Sequence, residues 1–118
     1  MRRVRDITTI ESEGQTAIGV AQADVGELYV NTTGGSTITF NSIDVDEWDV
    51  MMRGNSTIVA AGTAGLTRLD LRGNPELAAG DVTTGSVQGS VGGNAEVTLD
   101  VTGSNSLDVF GNASANIL

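Results

Sequence analysis

The chain has 118 residues, a net charge of −9, 16 glycines and only 3% aromatic residues, which suits thin stacked coils better than an ordinary globular core. It lacks cysteine and histidine, which excludes disulfides, thiol or imidazole catalysis, and zinc sites built from those ligands. Three of its six basic residues lie in the first five positions, so the rest is strongly acidic and is predicted to bind neither nucleic acid nor anionic membranes.

The chain begins with a short basic arm, residues 1–6. Its arginines, Arg2, Arg3 and Arg5, are interpreted as part of a solvated tail, with an anchor that docks on an acidic partner surface as the functional alternative. No apolar run of about 7–15 residues follows the charges, so the sequence predicts neither a secretory signal nor membrane insertion.

From Ile7 onward a unit of about 20 residues repeats. Its marker is a glycine at intervals of 18 to 20 residues: Gly14, Gly34, Gly54, Gly73, Gly93 and Gly111. Asparagine follows the last four of these glycines, as Asn55, Asn74, Asn94 and Asn112. Glycine adopts positive φ without steric cost and asparagine tolerates the left-handed region, so the pair predicts a tight turn in each repeat. Asparagines stacked at the strand spacing are expected to form an amide ladder.

Apolar residues flank each glycine at a constant distance. Four positions after it stand Ile18, Ile38, Ile58, Leu77, Val97 and Ala115, and four before it stand Ile10, Val30, Val50, Leu69, Gly89 and Leu107. In the second repeat, Leu28 and Val30 alternate with Tyr29 and Asn31. This period of two predicts a half-buried strand on each side of every turn, with loops at residues 21–24, 41–44 and 61–65.

These patterns predict an all-β fold, a single-stranded parallel β-solenoid of about six coils that spans residues 7–118 as one domain. A leucine-rich-repeat-like solenoid is the alternative, because residues 66–74 match one repeat of that pattern. The repeat runs to Leu118 without a polar cap, so another subunit or protein is expected to cover that end, with truncation of the chain as the alternative.

Three segments carry a family resemblance. Leu-Asp-Leu-Arg-Gly-Asn at 69–74, Leu-Asp-Val-Thr-Gly-Ser-Asn at 99–105 and Leu-Asp-Val-Phe-Gly-Asn at 107–112 resemble the strand-turn repeats of the head-GIN family of β-solenoid adhesin heads. The resemblance covers roughly residues 25–118. It implies a role in attachment at a cell surface.

Several side-chain patterns are candidate functional sites. Asp44 and Asp46, in the acidic run 44–49, fit a solvated face better than a calcium site, because EF-hand spacing fails. Paired carboxylates could hydrolyse glycosides, but 15 acidic residues on a small surface create such pairs by chance, so no enzymatic activity is predicted. Ice binding through Thr37 and Thr39 fails because Glu76 and Glu96 fall in the same column as Thr37. Trp48 is predicted to be buried, with a carbohydrate-stacking surface as the alternative.

The sequence predicts a structural or attachment protein that uses no cofactor or metal. An acidic, cysteine-free solenoid without an export signal suggests a phage-type virion component: a fibre, spike, or capsid or tail decoration. The alternative is a bacterial cell-surface adhesin or carbohydrate-binding domain, which would be extracellular. The expected partners are further copies of the chain, most plausibly in a trimer, other structural proteins, and a surface glycan or receptor. A carbohydrate-active enzyme is the third hypothesis.

Overall fold

The computed structural model describes residues 7–117, and these residues form strands joined by tight turns. The strands are β1 (Ile7–Ser12), β2 (Ala17–Val20), β3 (Ala23–Thr32), β4 (Thr37–Phe40), β5 (Ile43–Gly54), β6 (Thr57–Gly73), β7 (Glu76–Val91), β8 (Glu96–Val109) and β9 (Ser114–Ile117). The described residues contain no helix.

The strands pair in parallel with the equivalent segments of the next coil. The main path is β1-β3-β5-β6-β7-β8-β9, while β2 pairs with β4 and β4 with β6. The prediction of a parallel β-solenoid is confirmed, with about five turns where six coils were expected. The leucine-rich-repeat alternative is wrong, because such repeats combine a strand with a helix or 3₁₀ turn, whereas these coils have ladder strands on both sides of the glycine turn.

The two predicted apolar columns are confirmed as the core. In the first column, Val30 pairs with Val50 and Val50 with Leu69. In the second, Ile38 pairs with Ile58 and Ile58 with Leu77. All six of these residues are 3% exposed or less, because each coil covers the apolar side chains of its neighbour.

The first corner of each coil is the glycine turn, where the six marker glycines have φ between 72° and 92°. At Gly54 the next coil also approaches closely, since a Cβ atom there would lie 2.9 Å from the carbonyl oxygen of Gly34. That same oxygen accepts a hydrogen bond of 2.9 Å from the backbone N–H of Asn55. Both the positive φ and this stacking require a residue without a side chain.

The asparagines act through their side chains rather than their backbone. Among the described residues only glycines have positive φ, so the expectation that asparagine enters the left-handed region is wrong. Instead Asn74 Nδ2 donates to Asn55 Oδ1 at 3.0 Å, and Asn94 Nδ2 donates to Asn74 Oδ1 at 2.9 Å. The amides thus form a ladder along this corner.

The loops predicted between successive coils are largely wrong. Residues 23–24 and 43–44 open strands β3 and β5, and residues 61–65 lie inside β6. These segments pair in parallel with the equivalent segment of the next coil, as Ile43 does with Gly62. Gly62, with φ of 130°, bends the chain within the ladder, so the corner needs no separate loop.

Candidate binding groove on the outer face

The outward side chains of β1, β3, β5 and β6 form two adjacent rows that cross the strands. The first row is Thr9, Tyr29, Asp49 and Arg68, and the second is Glu11, Asn31, Met51 and Asp70. They point outward because they alternate with buried residues, as Tyr29 does with Leu28 and Val30. Parallel register then places equivalent positions of successive coils about 4.8 Å apart.

Between these rows lies a groove of about 400 Å³ that all eight side chains line together with Val30, Val50 and Leu69. The latter three are at most 3% exposed, so they contribute their backbone to the groove floor. The volume is within the range of small-ligand sites, roughly 300–1,000 Å³. We call this feature the outer groove.

Two residues of the first row pair with glutamates that lie outside it. The Tyr29 hydroxyl donates to Glu27 Oε2 at 2.7 Å, and this hydrogen bond is the main cause of a raised Tyr29 pKa. Arg68 Nη1 lies 3.9 Å from Glu47 Oε2, in an ion pair whose side chains are 51% and 26% exposed. The hydrogen bond to Glu27 fixes the hydroxyl end of Tyr29 and so orients the face of its ring.

Asp49 is the least satisfied group of the outer groove. Its Oδ1 atom is buried and accepts no hydrogen bond in the described residues, although a hydrogen bond between the carboxyl and Glu47 is a minor cause of its raised pKa. Burial raises the pKa of the Asp49 carboxyl most and the charge of Glu47 adds to this, whereas the Arg68 guanidinium acts in the opposite direction. A buried acceptor without a donor is uncommon in proteins, and at the surface of a groove a water molecule or a ligand hydroxyl can donate to it.

Asp70 closes the second row. Its carboxylate lies 3.8 Å from Arg53 Nη2 and 3.4 Å from Arg72 Nε, so two guanidinium groups offset its charge. Oδ1, the oxygen nearer Arg72, is buried and accepts no hydrogen bond. The outer groove thus contains two buried carboxylate oxygens that accept no hydrogen bond, of which Asp70 Oδ1 is ion-paired with Arg72.

The sequence matches the model of one protein family over nearly its whole length. The model of the family described as "Putative auto-transporter adhesin, head GIN domain" matches residues 3–118. The chain belongs to the head GIN domain family. No curated protein and no solved structure matches it.

The positions predicted from the sequence lie apart from the outer groove. The turn glycines and asparagines occupy the corner between the two halves of each coil of this head GIN domain. Arg2, Arg3 and Arg5 lie outside the described residues, as does Leu118. Asp44 and Asp46 are exposed, and Asp44 Oδ1 accepts from Thr63 Oγ1 at 3.4 Å. Trp48 is fully buried, which confirms the prediction for it and removes it as a carbohydrate-stacking surface.

Residues 7–117 of the head GIN domain hold no group of three acidic side chains arranged for a metal ion. In the same range no helix is long and apolar enough to cross a membrane.

Sequence analysis missed the outer groove, although a signal for it was present. Shifting the apolar column of Val30, Val50 and Leu69 back by one position yields Tyr29, Asp49 and Arg68. Shifting it forward by one yields Asn31, Met51 and Asp70. Because a strand alternates its faces, these shifted columns are the outward rows of the head GIN domain.

Proposed function

We propose that this head GIN domain is a non-enzymatic attachment module that acts at the cell surface. The family match over residues 3–118 carries the proposal, because the family is described as an auto-transporter adhesin head. A rigid solenoid whose outer side chains are free to vary suits the role, since its strands hold a binding surface in place.

The proposal is tested by coating beads with the purified domain and counting their attachment to a panel of bacterial and eukaryotic cells. Beads coated with an unrelated protein of similar net charge are the control. Attachment above that control to at least one cell type is expected. Equal attachment of both bead types across the panel would contradict the proposal, and so would glycan cleavage that a single Asp or Glu replacement abolishes.

The family match favours the cell surface over the virion that the sequence first suggested. Neither the fold nor the family supports a virion component. The full gene and its neighbours distinguish the adhesin from the virion component. An export signal in the same reading frame favours the adhesin, and adjacent capsid or tail genes favour the virion component.

We also propose self-association as a trimer and association with other structural proteins. Val109 and Phe110, at the last described glycine turn, are 40% and 47% exposed, and a second copy stacked on them would bury them. Mass measured in solution over a range of concentrations tests this. A stable monomer at every concentration would contradict self-association and leave attachment untouched.

A further inference from the structure

We propose that the outer groove binds a neutral oligosaccharide, through stacking on Tyr29 and hydrogen bonds to Asp49, Arg68 and Asp70. The inference rests on the proposed attachment function and gives it a ligand class and a site.

The construction of the floor argues against an extended peptide as the occupant. Strand β3 pairs with β1 on one side and β5 on the other, and β5 pairs with β3 and β6. The backbone donors and acceptors of these strands are therefore used inside the sheet. Peptides that add to a sheet need a free edge, and in the described residues β1 is an end strand, so such a peptide would lie beside β1 in the plane of the sheet and not across the floor of the outer groove.

The charges argue against a polyanion and a polycation alike. Glu11, Asp49 and Asp70 line the groove on a chain of net charge −9, which repels acidic sugars and phosphates. Arg68 also lines it, and Arg53 and Arg72 lie against Asp70, so these guanidinium groups offset part of the acidic charge that would attract a polycation. A neutral ligand avoids both costs.

The chemistry of the lining fits a sugar. Pyranose rings present a C–H face and a rim of hydroxyls, so they need an apolar plate and hydrogen-bonding groups close together. The half-buried Tyr29 ring and the side chain of Met51, which is 37% exposed, supply apolar surface. Asp49 Oδ1 supplies an acceptor that makes no hydrogen bond, Asp70 Oδ1 supplies one that is held only by its ion pair with Arg72, and Arg68 supplies donors.

The length of the groove favours more than one sugar unit. The outer groove crosses β1, β3, β5 and β6, which at about 4.8 Å between neighbouring strands gives a path of roughly 15 Å. Such a path accommodates a short chain of linked rings across the strands.

The experiment uses the whole chain and an array of immobilised neutral oligosaccharides built from glucose, galactose, mannose and N-acetylglucosamine. Oligolysine, glucosamine oligomers and oligouronates on the same array represent charged occupants. Binding of at least one neutral oligosaccharide is expected, with little change between low and high salt, because no net charge is neutralised.

The variants Tyr29→Ala, Asp49→Ala and Arg68→Ala are each expected to weaken that binding about tenfold or more, since each removes a stacking surface or a charge-assisted hydrogen bond. Gln88→Ala is the matched control, because Gln88 continues the first row beyond Arg68 without lining the groove. Tyr29→Phe, which retains the ring, is expected to keep most of the binding. Circular dichroism checks that each variant is folded, and the exposed Arg68 position provides a test if Tyr29→Ala does not fold.

Three results would overturn the inference: binding only to charged probes with a steep salt dependence, no binding to any probe by the folded chain, or equal binding by Asp49→Ala, Arg68→Ala and the parent. The bead assay separates this failure from failure of the attachment function. Beads that still attach to cells when coated with groove variants would leave the proposed function standing and eliminate the groove as its site.

Discussion

The inner and outer faces of the same strands follow different rules. Inward, Val30, Val50 and Leu69 repeat one kind of side chain at one position of successive coils. One residue earlier, outward, Tyr29, Asp49 and Arg68 change from aromatic to acidic to basic. Inward side chains must fill a nearly constant cross-section, whereas outward ones meet solvent or a ligand. The inner face therefore specifies the fold, and the outer face is where function can be placed.

The largest effect is expected from breaking the inner face at Trp48. This side chain is fully buried and meets Phe40 edge-on, with ring centroids 6.4 Å apart. Trp48→Ala leaves a cavity that neighbouring coils cannot close and should lower the free energy of unfolding by about 3–5 kcal/mol. Urea unfolding followed by circular dichroism measures it. The outward control Gln88→Ala should change stability by less than about 0.5 kcal/mol, and similar losses for both variants would contradict the distinction between the faces.

A smaller loss is expected at the glycine corner. Gly54→Ala forces a side chain into positive φ and toward the Gly34 carbonyl, at a cost of about 2 kcal/mol or more. Gly19→Ala is the matched control, because an added Cβ there has no atom within 4 Å. Thermal unfolding of both variants sharpens the comparison. A Gly54→Ala variant as stable as Gly19→Ala would show that the corner does not depend on glycine.

The fold was largely predictable because the inner face and the corners repeat. Each coil needs a turn at the same level, which places glycine at a constant interval, and its apolar columns follow the strand pairing. The second bend was not predictable, because Gly62 turns the chain inside the ladder. The bend does not break the strand pairing, so residues 61–65, whose small and turn-type residues predict a loop, belong to β6 instead.

The outer groove was harder to predict because the stacking of coils does not require similar residues at its outward positions. Asp49 and Arg68 are 19 positions apart, and neither belongs to a known motif. Only the register, which follows from the inner columns, shows that they are neighbours. Their unsatisfied and paired atoms depend on side-chain geometry, which strand periodicity does not determine.

The amide ladder along the glycine corner should contribute modestly. Asn74→Ala removes the hydrogen bonds with Asn55 and Asn94, at 3.0 and 2.9 Å, and should cost about 1 kcal/mol because the corner is exposed. Urea unfolding measures the loss, with Asn116→Ala as an exposed asparagine control on β9. A loss as large as that of Gly54→Ala would mean that the side chains, rather than the glycine backbone, hold the corner.

The smallest effect is expected at Asp49, and its sign is opposite. The pKa of this carboxyl is raised in the folded state by burial and by Glu47, so the folded protein holds the proton more tightly than the unfolded chain. Its contribution to stability is present below the usual pKa of 3.8 and is lost as pH rises through the raised value. Asp49→Asn cannot ionise and should be more stable than the parent at neutral pH, by less than about 1 kcal/mol because the group is partly solvated.

Thermal unfolding from pH 3 to 7 tests this, and the advantage of Asp49→Asn should shrink toward the acid end. Glu47→Gln provides a second measurement, because removing the neighbouring charge should stabilise the ionised Asp49 at neutral pH. An Asp49→Asn variant less stable than the parent at neutral pH would show that the carboxylate is satisfied within the fold. That result would remove the reason to place a ligand hydroxyl at this position. A gain in stability for Asp49→Asn, together with weaker saccharide binding by Asp49→Ala, would instead show that Asp49 serves binding at a cost to the stability of the fold.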